Sequence, residues 1–139
     1  MSCKNPKRCY EKHLNWKRQQ EKNIPVGEKI LETIRRQIEN GSEISLTKHG
    51  KGRSYHRVFS LREITEAILN GWVIEAYPDK QKMTVICFLK STKKTYRPIH
   101  VVIGYGDEVE IITCYNPRTQ PWKWQNNYQE RICFCYRKR

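Results

Sequence analysis

Three residues in the first half of the chain, His49, Arg53 and Arg57, recur at steps of four. Four-residue steps put successive side chains on one face of a helix, where neighbouring like charges repel unless an anion lies across them. A phosphate backbone is the natural anion. A second histidine, His100, follows in a strand-like stretch, and Thr113 lies on the next one. Such a set can cleave RNA without a metal. One histidine takes the ribose 2′-hydroxyl proton, a second acid protonates the leaving 5′-oxygen, and arginines stabilise charge building on the phosphorane. Histidine suits both proton transfers because its pKa lies near neutrality. The products would carry 2′,3′-cyclic phosphate ends. His49, Arg53 and Arg57, with His100, Thr113 and Tyr115, thus contain the parts of such a catalyst. Lys48, Lys51, His56, Arg97 and Tyr115 are the expected nucleic-acid contacts.

Each residue also has a plainer role open to it. A single histidine on an apolar strand is more often structural than catalytic. Thr113 is an ordinary strand former, Tyr115 fits a core, and the arginines fit simple phosphate positioning. Acidic residues do not cluster with the histidines, and there is no P-loop, no GxGxxG and no Cys–His nucleophile spacing. No metal and no cofactor is expected. The six cysteines match no standard zinc spacing, and Cys87 and Cys114 read as core thiols.

The elements that must position these groups follow from periodicity. Residues 1–25 form a basic, polar extension, read either as a helix docked through Tyr10, Leu14 and Trp16 or as a mobile arm, with Pro25 and Gly27 at its end. Ile30, Leu31, Ile34 and Ile38 mark an amphipathic helix over 26–40, closed by Asn40-Gly41. Ladder helicity is weakened by Gly50 and Gly52, each costing roughly 1 kcal/mol in a helix interior. Ser60 and Glu63 form a capping box, after which Ile64, Ala67 and Ile68 face inward and Gly71 ends the helix.

Beyond Gly71 the period becomes strand-like. Strands are expected over 72–77, 83–89, 98–103 and 109–115, joined by short turns, hence an antiparallel meander. On the last strand Ile111, Thr113 and Tyr115 are expected to share a face. An even-numbered loop between the last two strands sets His100 on the side of Thr113 and Tyr115, and an odd one opposes them. The aromatic, basic tail 118–139 either trails or returns as a strand through Ile132 to Tyr136. The expected fold is α+β, with N-terminal helices packed on a four- to five-stranded antiparallel sheet. The domain proper spans 26–117.

The chain of 139 residues has a formal charge of +13. Its basic residues cluster: no acid interrupts Lys48 to Arg62 or Lys80 to Arg97. That field implies an acidic partner, nucleic acid first, an anionic membrane surface second and an acidic protein third. No apolar run is long enough to span a membrane, and the N-terminus has no secretory h-region. A cytoplasmic protein with reduced thiols is expected.

The stretch from His49 to Gly71 resembles, without gaps, a family of small bacterial domains of unknown function found in toxin-like and mobile-element settings. Its pattern is H-A-x-x-R-M-x-x-R-G-I-S-x-x-E-V-x-x-A-L-x-x-G. The matching positions are His49, Arg53, Arg57, Ser60, Glu63, Ile64, Ala67, Ile68 and Gly71, followed by Tyr77-Pro78-Asp79, His100-Val101-Val102, Ile111-Ile112-Thr113 and Tyr115. Gly50, Ser54 and Val58 depart from it. The resemblance implies the barnase–EndoU–colicin–RelE superfamily, a RelE- or barnase-like fold, metal-independent toxin ribonuclease activity with His49, Arg53, Arg57, His100 and Thr113 as the catalytic set, and an acidic antitoxin or immunity protein as partner. Its RNA target would be tRNA, mRNA or ribosome-bound RNA. Two other readings stand beside it: a non-catalytic nucleic-acid-binding module, and a mobile-element inhibitor protein of the same fold.

Overall fold

The computed structural model describes residues 6–41, 45–46 and 59–132. Helix α1 runs Pro6–Glu39 without interruption at Pro25. The break expected at Pro25 and Gly27 is therefore absent, and the helix crosses the boundary expected between extension and domain. One reason is visible along the helix. Cys9, Trp16, Gln20, Gly27, Leu31 and Ile34 are its buried positions, at helical spacing on both sides of the proline. They form one continuous stripe, while Pro25 faces out. Docking is through Trp16; Tyr10 and Leu14 remain exposed.

Helix α2, Leu61–Asn70, begins at the expected capping box: the Glu63 amide donates to Ser60 Oγ and the Ser60 amide to Glu63 Oε1. Ile64, Ala67 and Ile68 are buried. Gly71 ends it with extended backbone at φ −86°. Close approach, not a left-handed conformation, demands glycine there: a Cβ would lie 2.3 Å from the Ile86 carbonyl oxygen. Arg35 of α1 donates to the carbonyls of Ile68 and Gly71, satisfying the exposed end of α2.

The strands are β1 (Ser45–Leu46), β2 (Trp72–Tyr77), β3 (Lys82–Lys90), β4 (Tyr96–Tyr105) and β5 (Val109–Tyr115). Sheet order is β1-β5-β4-β3-β2. The expected antiparallel meander is present as β2 to β5. The fifth strand is β1, which pairs parallel with β5. It falls at the start of the segment expected to carry the ladder helix. A strand from Ile132 to Tyr136 falls almost wholly outside the described residues.

Both helices share one face of the sheet. Leu31, Ile34, Ile64 and Ile68 pack there on Val73, Met83, Val85, Ile99, Val101, Ile103 and Ile111. Helix α1 also covers the free edge of β2. The Val73 amide donates to Glu28 Oε1 at 2.7 Å and the Ala76 amide to Gln20 Oε1 at 2.7 Å. An unpaired edge is thereby closed by side chains. Gly27 permits the approach, since a Cβ there would stand 3.0 Å from Ala76 Cβ.

Candidate functional site

Alternation on β4 sends Ile99, Val101 and Ile103 into the helix-side core and His100 to the opposite face. The β4–β5 loop is odd, with Tyr105 opposite Val109. A bulge compensates: Ile103 pairs with Ile111 but Val102 pairs with Thr113, leaving Ile112 unpaired. His100 consequently sits opposite Tyr115 and shares its face with Tyr115 and Thr113. Ile111 does not join them. It faces the core with Cys114, because the bulge reverses the alternation between residues 111 and 113.

That second face is covered. Trp124 is buried against Ile74 and Ile86, with Phe88, Tyr115 and Tyr128 around it. His100 is fully buried beneath this cover. Its Nε2 lies 2.7 Å from the Tyr128 carbonyl oxygen and its Nδ1 3.2 Å from the Tyr115 hydroxyl. A carbonyl only accepts, so Nε2 carries the proton and Nδ1 accepts from Tyr115. The ring stands edge-on to Trp124, with centroids 4.5 Å apart. Burial lowers the His100 pKa to about 4; the Tyr128 carbonyl opposes this, and the charges of Lys123 and Arg131 add to it. Burial likewise raises the Tyr115 pKa, helped by nearby Glu75. In this arrangement the imidazole is neutral at pH 7, has both nitrogens engaged and touches no solvent. It has the properties of a structural histidine.

Below it, Glu75 is buried and takes a two-pronged contact from Arg131, Nε to Oε2 at 2.5 Å and Nη2 to Oε1 at 3.0 Å. This pair fastens the cover to β2. Sequence reading missed it. Its one signal was an acid inside an otherwise apolar strand, and its partner lay 56 residues away.

The ladder residues His49, Arg53 and Arg57, with Lys48, Lys51 and His56, lie outside the described residues. Arg97 is engaged: its guanidinium pairs with Glu63 Oε2 and lies 4.5 Å from the Phe59 ring centre. Glu63 is held below the usual carboxylate range, first by the Ser60 amide and then, against some burial, by Arg97.

The strand directions sort the turns to the two ends of the sheet. At one end the β3–β4 turn and the segment after β5 present Lys90, Lys93, Lys94 and Arg118 around Tyr96. All are exposed, and Arg118 Nη2 donates to the Tyr96 carbonyl at 3.2 Å. The turn is held by the Ser91 amide on the Thr95 carbonyl at 2.9 Å. At the other end the β2–β3 and β4–β5 turns hold Asp79, Asp107 and Glu108 together with Lys80, and Lys82 opens β3 beside them. Among the described residues, no three of His, Cys, Asp or Glu gather at metal-binding spacing, and no helix is long and apolar enough to cross a membrane.

No curated protein and no solved structure matches the chain. The family described as Domain of unknown function (DUF4258) matches residues 46–116, just over half the chain. The match takes in the ladder, α2 and β2 to β5, and stops before the cover over His100. This chain belongs to the DUF4258 domain family.

Proposed function

We propose that the protein binds RNA, with phosphates running along the basic end of the sheet. The supporting observation is a cluster of cations on two connections that carry no acid. Lysines and an arginine from these connections meet around an exposed tyrosine, whereas the far end mixes Asp79, Asp107 and Glu108 with Lys80 and Lys82. Basic side chains hold phosphate, and an exposed aromatic ring offers a stacking surface for a base. Fluorescence anisotropy with a labelled single-stranded RNA tests this. Lys93→Gln/Lys94→Gln should weaken binding several-fold, and Lys80→Gln/Lys82→Gln at the opposite end should leave it close to wild type. Equal loss from both pairs would contradict the placement.

The second reading is the metal-independent endoribonuclease of toxin type, a member of the barnase–EndoU–colicin–RelE superfamily, cytoplasmic and neutralised by an acidic antitoxin or immunity protein. Two features favour it: the helices-then-meander order, and the gathering of His100, Thr113 and Tyr115 on one face. It requires the segment bearing Trp124 and Tyr128 to leave that face. RNA incubated in EDTA should then yield 2′,3′-cyclic phosphate ends, lost in His49→Ala and in His100→Ala. Intact RNA under conditions where it is bound leaves the binding reading alone.

A further inference from the structure

A cavity of about 400 Å³ lies between α1, the start of β2 and the stretch from Asn127 to Glu130. Its size is that of a small-molecule site. Trp16 and Trp72 stand on its wall with Gln20, Glu21, Gln129 and Glu130. Trp16 is nearly buried, and its Nε1 is fixed by the Tyr77 hydroxyl at 3.2 Å. Trp72 keeps 38% of its surface exposed, and its Nε1 donates to Gln129 Oε1 at 3.2 Å. One aromatic wall is therefore rigid and the other open to a ligand.

One buried side-chain donor here lacks a partner among the described residues, and one helix carbonyl lacks its usual one. Gln20 is 3% exposed and its Oε1 accepts the Ala76 amide, yet its side-chain nitrogen has no hydrogen-bond partner among the described residues. Pro25 has no amide hydrogen, so the Glu21 carbonyl loses the partner that a helix normally supplies. Both groups belong to residues of this cavity. Leaving such a donor buried and unmet is costly.

The charge at the cavity is the reverse of the protein's. Glu21 and Glu130 outnumber the single cation, Lys17, which bridges to Glu130 at 4.0 Å. A phosphate is disfavoured inside. Ionised carboxylates only accept hydrogen bonds, so they select a planar edge that donates. Trp72 also lies 6.1 Å, ring to ring, from Phe88, two residues before Lys90 of the basic end. Trp72 thus stands on the edge strand next to β3, whose last residue is Lys90.

We propose that this cavity is a base pocket, taking an amino-bearing nucleobase (guanine, adenine or cytosine) against Trp72 while the phosphates stay on the basic end. Uracil, whose single N3–H donor is flanked by two carbonyl oxygens that meet the carboxylates, is disfavoured. This reading rests on RNA binding, and its test separates the two. Calorimetric titration of the full chain with guanosine, adenosine, cytidine and uridine should show heat for the first three and little for uridine. Trp72→Ala should weaken binding about tenfold, the scale of one lost stacking partner. Glu21→Gln, a change on an exposed helical position, should reduce the preference over uridine with the fold intact, and circular dichroism checks the fold of both variants. No nucleoside binding, uridine binding equal to guanosine, or an unchanged Trp72→Ala overturns the pocket, even where salt-dependent RNA binding persists. Nucleoside binding lost in Trp72→Ala, without RNA binding, keeps the pocket and removes the RNA reading.

Discussion

The Nε2 of His100 and the carbonyl oxygen of Tyr128 are 2.7 Å apart. The contact joins a residue of the family region to one beyond it, and it fixes the imidazole in its neutral Nε2–H form. The proton sits on the nitrogen that a carbonyl holds. Proton transfer from His100 to a substrate is closed in this arrangement.

The depressed pKa of His100 makes stability depend on pH. Its folded value is about 4 against an ordinary 6.5. Between those values the unfolded chain binds the proton and the folded chain does not, so stability rises with pH. The contribution is fully present above 6.5 and is lost as pH falls toward 4. Urea unfolding at pH 7 and pH 5 should show the wild type losing about 2 kcal/mol through this residue. His100→Gln, compared with wild type, should lack that increment. An equal drop in both proteins would remove His100 as its source.

Arg131 and Glu75 form the ionic fastening of the cover. Glu75 is 2% exposed and the Arg131 side chain 24%. Arg131→Ala leaves a buried carboxylate alone and should cost about 2 kcal/mol, somewhat below the range for fully buried pairs, because the arginine is partly in water. The double variant Glu75→Met/Arg131→Met should recover most of that loss. Chemical denaturation of the single and double variants measures both. A double variant no more stable than Arg131→Ala would show that the pair contributes more than mutual neutralisation.

Gln20 and Glu28 act on the edge of β2 as a missing strand would. Glu28→Ala should cost about 1–2 kcal/mol by leaving the Val73 amide unmet. Gln20→Ala/Glu28→Ala should also expose a pairing edge. Sedimentation velocity should show concentration-dependent association of the double variant and a monomeric profile for Glu28→Gln. An unassociated double variant would mean that the bulk of α1 protects the edge unaided.

Local chemistry carried most of the fold in the sequence. The Ser60/Glu63 box set the start of α2, and period-two apolar runs bounded β2 and β5 at the residues observed. What stayed hidden was non-local or polar. Gln20 and Gly27 continue the buried stripe of α1 across Pro25, but neither is apolar, so the stripe looked broken. The bulge at Ile112 changes which face Ile111 takes, and loop length alone does not encode it. The tail read as basic and aromatic. Its docking on His100 depends on Glu75 and Arg131, 56 residues apart. Of the expected site, His100, Thr113 and Tyr115 do come together on one face, Arg97 is drawn to Glu63, and the ladder lies outside the described residues.

The most direct measurement is the salt dependence of RNA affinity. Equilibrium binding of a labelled single-stranded RNA would be followed from low to high KCl for the wild type and Lys90→Gln/Lys93→Gln/Lys94→Gln. If phosphates lie on the basic end, the logarithm of affinity falls steeply with the logarithm of salt, and the variant's slope is shallower by about 2, roughly 0.7 for each lost contact. A wild-type affinity indifferent to salt, or a variant slope equal to the wild type's, would contradict RNA binding at this surface.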